Sequence, residues 1–292
     1  LKVSLVIPYI IENEQQSKIV TRCIDVAAAG ATKEDTEIVL IDNGSPTSLT
    51  FTAHQRISKI KYNAENVGVV QTFKQGYEAA DGDLICFIHS DVLLHEIGWD
   101  TRIAATFSGN DRLGLAGLFG AKILHPNGGR ELCMSNMLGK EWGKCGCHQQ
   151  SALHHGMLEQ GVRPVSMFDG VGLFFRREAL RQLVEETDFC ADWRAPHHFY
   201  DRIVGCKIAI DLGWHMAVIG IGFDHWSGAT GNASNIYAET SRKWLEKNGH
   251  AITEGQPMDL HIYNIAEQQF FKEYTHRLPL LVDESYNYTW KN

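Results

Sequence analysis

The sequence has no stretch of about eighteen consecutive apolar residues, so it offers no candidate for a membrane-spanning helix. Its first residues run directly into a strand pattern, without a charged segment followed by an apolar one, so a cytoplasmic location is the expectation. Runs of Lys or Arg are missing, and 35 acidic against 27 basic side chains leave a net charge of −8, which argues against a phosphate-backbone partner such as nucleic acid. An anionic substrate then needs a local solution, such as a bound cation. The seven cysteines are odd in number and contain no Cys-x-x-Cys pair, which argues against a disulfide framework and against paired zinc knuckles. No G-x-G-x-x-G follows the first apolar run, so a dinucleotide-binding turn is not expected there.

What is present is an ordinary globular composition, 44% apolar and 21% charged, on a chain of 292 residues, long enough to bury one large core. Val3 to Ile7 is an almost unbroken apolar run ended by Pro8, as in a strand buried on both faces. Between Ser17 and Ala29, Ile19, Val20, Cys23, Val26 and Ala27 recur at helical spacing, with Gly30 as a stop. Glu37 to Ile41 is a second strand closed by the turn residues Asp42-Asn43-Gly44-Ser45. Val70, Phe73, Tyr77 and Ala80 mark a further helix, and Leu84 to Ile88 a third strand. Alternating strands and helices predict an α/β fold with a mostly parallel central sheet flanked by helices. In such sheets ligands bind beyond the carboxyl ends of the strands, which gathers Pro8-Tyr9, Asp42 to Ser45 and His89-Ser90-Asp91 around one crevice. Further strands are predicted between Leu113 and Leu124, from Val171 to Phe175 and from Ala217 to Phe223, and a helix through Tyr237 to Leu245 followed by a polar tail.

Val3-Ser4-Leu5-Val6-Ile7-Pro8-Tyr9, Val39 to Ser45, Asn66-Val67-Gly68 with Gly76, and Gly82-Asp83 leading to Phe87-Ile88-His89-Ser90-Asp91 are weak signals singly, but their order and spacing resemble the family 2 glycosyltransferases. The resemblance continues through His125-Pro126-Asn127-Gly128, Gly170 to Leu180 and Asp201 to Trp214, and ends at His225. It implies a GT-A fold over residues 1–228, with a nucleotide-binding half (1–112) and an acceptor half (113–228) carrying an irregular insertion at 138–165. Residues 229–292 are then a C-terminal helical extension.

The resemblance also implies roles. Pro8 and Tyr9 would line a base pocket and Asp42 would accept the uracil imide hydrogen, although Asp42 could equally cap its own turn. Glu12, Asn66, Gly68, Lys74, His89 and Ser90 fall in the nucleotide-binding blocks. Asp91 is the expected metal ligand, because a departing diphosphate needs its growing charge neutralised by a hard divalent cation; the alternative is a helix cap. The family's first acid is replaced here by His89, which leaves open how the ribose or the water on the cation is held. His225 is expected at the same metal, and an imidazole beside oxygen ligands favours Mn²⁺ over Ca²⁺, with Mg²⁺ a second option. Asp201 aligns with the family's general base, though Tyr200 stands where a Glu usually precedes it, and Asp169 and Asp192 are competitors. Asp169, Gly170 and Tyr200 are expected under the sugar and acceptor. Cys133, Cys145, Cys147 and His148 could hold zinc, but free thiols in an acceptor loop fit the spacing better.

These expectations combine into an inverting, metal-dependent transferase moving a hexose from a UDP-sugar to a hydroxyl of a glycan, glycolipid or protein. A sugar nucleotidyltransferase is the alternative within enzymes, although Tyr9-Ile10-Ile11-Glu12 stands where a basic Gly-rich loop would be expected. A non-catalytic nucleotide-sugar-binding module is the other.

Overall fold

The protein was analysed as a computed structural model, which describes residues 1–46, 55–138, 157–226, 235–252 and 257–290. Its strands in chain order are β1 (Val3–Tyr9), β2 (Glu37–Asp42), β3 (Ile57–Tyr62), β4 (Leu84–Ile88), β5 (Val92–Leu94), β6 (Leu113–Gly117), β7 (Phe119–Leu124), β8 (Arg130–Ser135), β9 (Met157–Leu158), β10 (Val162–Pro164), β11 (Met167–Phe168), β12 (Gly172–Arg176), β13 (His215–Ile219), β14 (Phe223–His225), β15 (Leu280–Val282) and β16 (Tyr288–Trp290). The helices are α1 (Glu14–Gly30), α2 (Val69–Ala79), α3 (Trp99–Ser108), α4 (Arg177–Glu185), α5 (Tyr200–Cys206), α6 (Asn235–Lys247) and α7 (Met258–Tyr274).

Eight strands form the central sheet in the order β10-β13-β6-β12-β4-β1-β2-β3. β12 and β10 run antiparallel to their neighbours and the other pairs are parallel. The apolar run of β1 has the two-sided burial its composition implies. Leu5 and Ile7 pack with α1, Trp99 and Phe107 on one face, while Val6 packs with Phe73 and Leu180 on the other. A strand with helices on both faces needs apolar side chains at successive positions, so alternation disappears.

α1 begins three residues before the predicted Ser17. Asn13 caps it, its side chain accepting the Gln16 N–H at 3.0 Å, and the polar first turn carries no periodic signal. A second sheet, β16-β15-β7-β8-β9 with β11 also on β7, is built from strands after residue 118. The segment expected to be a helical extension contains the two helices α6 and α7, but also β15 and β16, which add to the edge of β7. Leu280-Leu281-Val282 is too short a run to declare a period. α7 buries Ile262, Ala266, Phe270 and Tyr274 against the core that holds Phe199 and Ile203.

Candidate functional site

Four chain segments meet beyond the carboxyl ends of β1, β2 and β4. Antiparallel pairing of β12 with β4 sets Gly172 opposite Ile88, and the His89 N–H donates to the Val171 carbonyl at 3.2 Å. That register lays Asp169-Gly170 beside His89. A separate ribbon joins β5 to β14 with His225 opposite Val92, and the Trp226 N–H donates to the Asp91 carbonyl at 2.8 Å. Asp91 and His225, far apart in sequence, are thereby clamped together by backbone hydrogen bonds.

The outcome is a cluster of three metal-ligating side chains. Ligand atoms of His89, Asp91 and His225 lie within 4.8 Å of one another, and His225 Nε2 is 3.4 Å from Asp91 Oδ1. Two imidazoles and one carboxylate on three rigid strand ends suit a divalent transition ion. Electrostatics agree with the geometry. Burial alone would push the His225 imidazole down, but the Asp91 carboxylate, with Asp169 behind it, outweighs this and raises it. Burial would likewise raise Asp91, yet His225 and His89 hold its carboxyl below the usual range. Burial dominates at His89 and lowers its imidazole, outweighing the Asp91 carboxylate.

Next to this cluster lies a cavity of about 400 Å³. Pro8, Tyr9, Asn66, His89 and Ser90 of the predicted nucleotide blocks line it, as do Asp169, Gly170, Tyr200 and Asp201 of the predicted acceptor side. Gly170 is required by its neighbour, because a Cβ there would overlap the Tyr200 hydroxyl. That hydroxyl lies 3.0 Å from His89 Nε2. Tyr200 and Asp201 open α5 directly after His198 and Phe199, two non-glycine residues with φ of 61° and 50°. Such backbone persists only where packing over-determines it. Here Phe199 is buried against Phe270, and His198 bonds Asp259 at 2.8 Å.

The three candidate acids are not equivalent. Asp169 is locked to Arg130 at 2.6 Å, and that guanidinium overcomes burial to hold its carboxyl low. Asp192 is a surface residue paired with Lys247 at 2.8 Å, outside the cavity wall. Asp201 uses Oδ1 for the Arg202 N–H at 2.8 Å, and its Oδ2 has no hydrogen-bond partner among the described residues.

Several nominated residues do other work. Asp42 is buried and accepts the Ser45 N–H at 2.8 Å, the turn-capping alternative, and it does not line the cavity. Burial and the Asp42 carboxylate together push the Tyr9 phenol far up. Glu12 accepts the Ile236 N–H at 3.3 Å and so tethers α6. Lys74 is exposed on α2 and absent from the wall. Gly68 lies at φ 82° with Pro196 packed where its Cβ would be, and Asn66 Oδ1 accepts from Gly68 N and from Asn43 Nδ2, both at 2.8 Å. Cys145, Cys147 and His148 fall outside the described residues, and Cys133 is a half-buried thiol on β8.

Sequence reasoning gave no role of their own to Asn43, Arg130, His197 or Tyr237. Asn43 stands in the Asp-Asn-Gly-Ser turn that the strand order already places at the crevice. Arg130 reaches Asp169 from the second sheet, and no local pattern announces it. His197 lines the cavity stacked on Tyr237 at 3.7 Å, and its imidazole, pushed down to about 3 by burial, has a buried Nε2 without a partner among the described residues. Asn66 Nδ2 is buried and likewise has no partner among the described residues. Buried polar atoms in a cavity wall cost stability unless something bonds them, so this wall suits a polar occupant.

A sheet of this kind is the GT-A fold of glycosyltransferases, and the match to a family of that activity makes the enzyme a glycosyltransferase. The sequence profile of glycosyl transferase family 2 matches residues 4–183, more than half of the chain, and the protein belongs to that family. Among solved structures, GalNAc-T7 with UDP, GalNAc and Mn²⁺ superimposes with a TM-score of 0.52 at 14% identity, over 94% of this chain and 57% of that one. S. aureus TarS 1–349 gives 0.48 at 14% identity, covering 95% and 75%. The mannosyltransferase PcManGT of Pyrobaculum calidifontis, with GDP-Man and Mn²⁺, gives 0.47 at 12%, covering 94% and 70%. At these identities the GalNAc-T7 likeness carries the fold alone. No curated protein sequence matches significantly. No helix among the described residues is long and apolar enough to cross a membrane.

Proposed function

We propose that the protein is an inverting, metal-dependent glycosyltransferase that takes a hexose from a UDP-sugar and delivers it to a hydroxyl acceptor. The observation that carries this reading is the convergence of His89, Asp91 and His225 beside a cavity that also exposes Asp201. A divalent ion, Mn²⁺ or Mg²⁺, bound there would neutralise charge on the leaving diphosphate. Pro8, Tyr9, Asn66 and Ser90 bind the nucleotide, with the apolar wall of Val69 and Phe73 excluding water from it. Asp201 Oδ2 takes the proton of the acceptor hydroxyl as its oxygen attacks the anomeric carbon from the face opposite the diphosphate. Asp169, neutralised by Arg130, binds sugar hydroxyls rather than accepting the proton. Asp42 shapes the base pocket through Tyr9 and its turn.

The test is metal-dependent UDP release from UDP-glucose, UDP-galactose and their N-acetyl forms, with and without hydroxyl acceptors. Asp91→Ala is expected to abolish metal-dependent UDP binding, whereas Asp201→Asn keeps UDP binding and loses transfer. Normal turnover by Asp91→Ala with metal present refutes the reading.

A further inference from the structure

Two places where this chain departs from the family pattern touch each other. His89 stands for an acid and Tyr200 for a Glu, 111 positions apart, and His89 Nε2 lies 3.0 Å from the Tyr200 hydroxyl. Neither partner could make this contact with a glycine-free wall, since any Cβ at residue 170 would displace the hydroxyl. The Tyr200 ring is fixed by packing 6.0 Å from Phe73, itself fully enclosed, so the hydroxyl is a positioned group.

The consequence lies in the tautomer. A neutral imidazole carries one proton, and the nitrogen without it is the only one able to bind a cation. If Nε2–H donates to the Tyr200 oxygen, the Nδ1 lone pair is left for an ion. If the hydroxyl donated to Nε2 instead, Nδ1 would carry the proton and His89 could ligate nothing. Ligand atoms of His89, Asp91 and His225 fall within 4.8 Å of one another, the separation a shared ion needs, and with Nε2 turned to the Tyr200 hydroxyl, Nδ1 is the nitrogen left to face an ion.

We propose that Tyr200 is a positioning residue that holds His89 as its Nε2–H tautomer, so that His89 is a third protein ligand and the ion is bound before any nucleotide arrives. Three protein ligands, two of them nitrogen, replace the one or two carboxylates that rely on substrate phosphate to complete a cation's shell. The inference rests on the metal-site reading above and concerns only who holds the ion. It also gives Tyr200 a reason to adjoin Asp201: the helix start that carries the proposed base is tied by one hydrogen bond to the metal cluster, so the two halves of the site keep a fixed separation.

The experiment measures Mn²⁺ affinity of the full chain without nucleotide, by electron paramagnetic resonance of free Mn²⁺, together with the ¹⁵N signature of the His89 ring in the metal-free protein. Wild type is expected to bind one equivalent with His89 as the Nε2–H tautomer. Tyr200→Phe keeps the ring packing and should weaken nucleotide-free binding about 10- to 100-fold, the usual cost of losing a partner of a ligating His. His89→Asn should weaken it at least as much, and adding Tyr200→Phe to His89→Asn should change little, since residues acting as one unit are not additive. Equal affinity in Tyr200→Phe and wild type, or an Nδ1–H tautomer, overturns the proposal. Wild type that binds Mn²⁺ only with UDP present overturns it while leaving the metal-dependent reading intact; absence of Mn²⁺ binding in both conditions sinks that reading as well.

Discussion

Replacing Gly170 by Ala is the sharpest perturbation the site permits. The new Cβ would overlap the Tyr200 hydroxyl and stand 2.5 Å from its ring carbon Cζ and 2.9 Å from Cε2. Contacts of that kind cannot be absorbed by a flexible tip, because the Tyr200 ring is wedged beside Phe73 and follows two residues of positive φ. Overpacking of an enclosed wall costs about 1–3 kcal/mol, and expelling the hydroxyl from His89 adds about 0.5–1.5 kcal/mol for the lost hydrogen bond. The sum, about 1.5–4.5 kcal/mol, corresponds to a fall of roughly 3–18 °C in melting temperature for a large domain. Differential scanning fluorimetry reads it directly. The reasoning makes a second, stricter demand: introduced together with Tyr200→Phe, the alanine should cost less than it does alone, because the worst overlap is with the oxygen that Phe lacks. Strict additivity of the two substitutions, or an unchanged melting temperature for Gly170→Ala, would refute the steric account.

Asp201→Asn should leave UDP and Mn²⁺ affinity within about twofold and lower transfer by about 10²–10⁴, as expected when a general base is removed; isothermal titration and a transfer assay separate the two. Mn²⁺ affinity should fall as pH falls, because His225 must be neutral to ligate. Its imidazole is raised by Asp91, so the loss should begin above the ordinary imidazole value of about 6.5 and approach tenfold per pH unit below the raised value, which a titration of binding against pH checks. In the metal-free protein the sign for stability is opposite. The His225–Asp91 pair contributes fully below the unfolded imidazole value and is lost as pH rises through the raised one, so added Mn²⁺ should flatten or invert the melting-temperature profile there. Arg194→Ala should destabilise by about 3 kcal/mol and expose α7 to proteolysis. The guanidinium is enclosed and holds both Glu273 oxygens at 3.0 Å, tying α7 to the loop before α5.

How much of this was legible in the sequence varies with the range of the forces involved. β1, β2, β4, α1 and α2 declared themselves through local signals, an unbroken apolar run or a repeat at helical spacing, and each appears within a few residues of its expected bounds. The convergence of Asp91 with His225 was available only through resemblance, since it depends on the β5–β14 pairing, and two three-residue strands have too little pattern to be read. His89 was visible as an oddity, an imidazole where an acid belongs, but its place in the cluster needed the fold. Lys74 lies off the cavity wall because block membership says nothing about which side of α2 faces it, whereas Thr72 and Phe73, two residues and one residue earlier, line the cavity.

Asp42 shows where resemblance and physics part. A carboxylate just past β2, followed by Asn-Gly-Ser, has two uses open to it, recognition of a base edge or capping of its own turn, and the chain alone could not choose. In the folded protein the Ser45 N–H takes Oδ1 and the phenol of Tyr9 is held close by, while the cavity wall is made by Asn43 and Asn66 instead. On the proposed function, Asp42 acts through a layer: it fixes Tyr9 and the turn, and those fix the wall. If that is right, Asp42→Asn, which keeps the cap but removes the charge, should weaken UDP affinity only a few-fold, far less than Asp42→Ala, which removes the cap and frees the turn. Isothermal titration with UDP at saturating Mn²⁺ tells them apart. Equal losses of a hundredfold or more in both variants would return Asp42 to direct contact with the base, because only loss of the charge is common to the two.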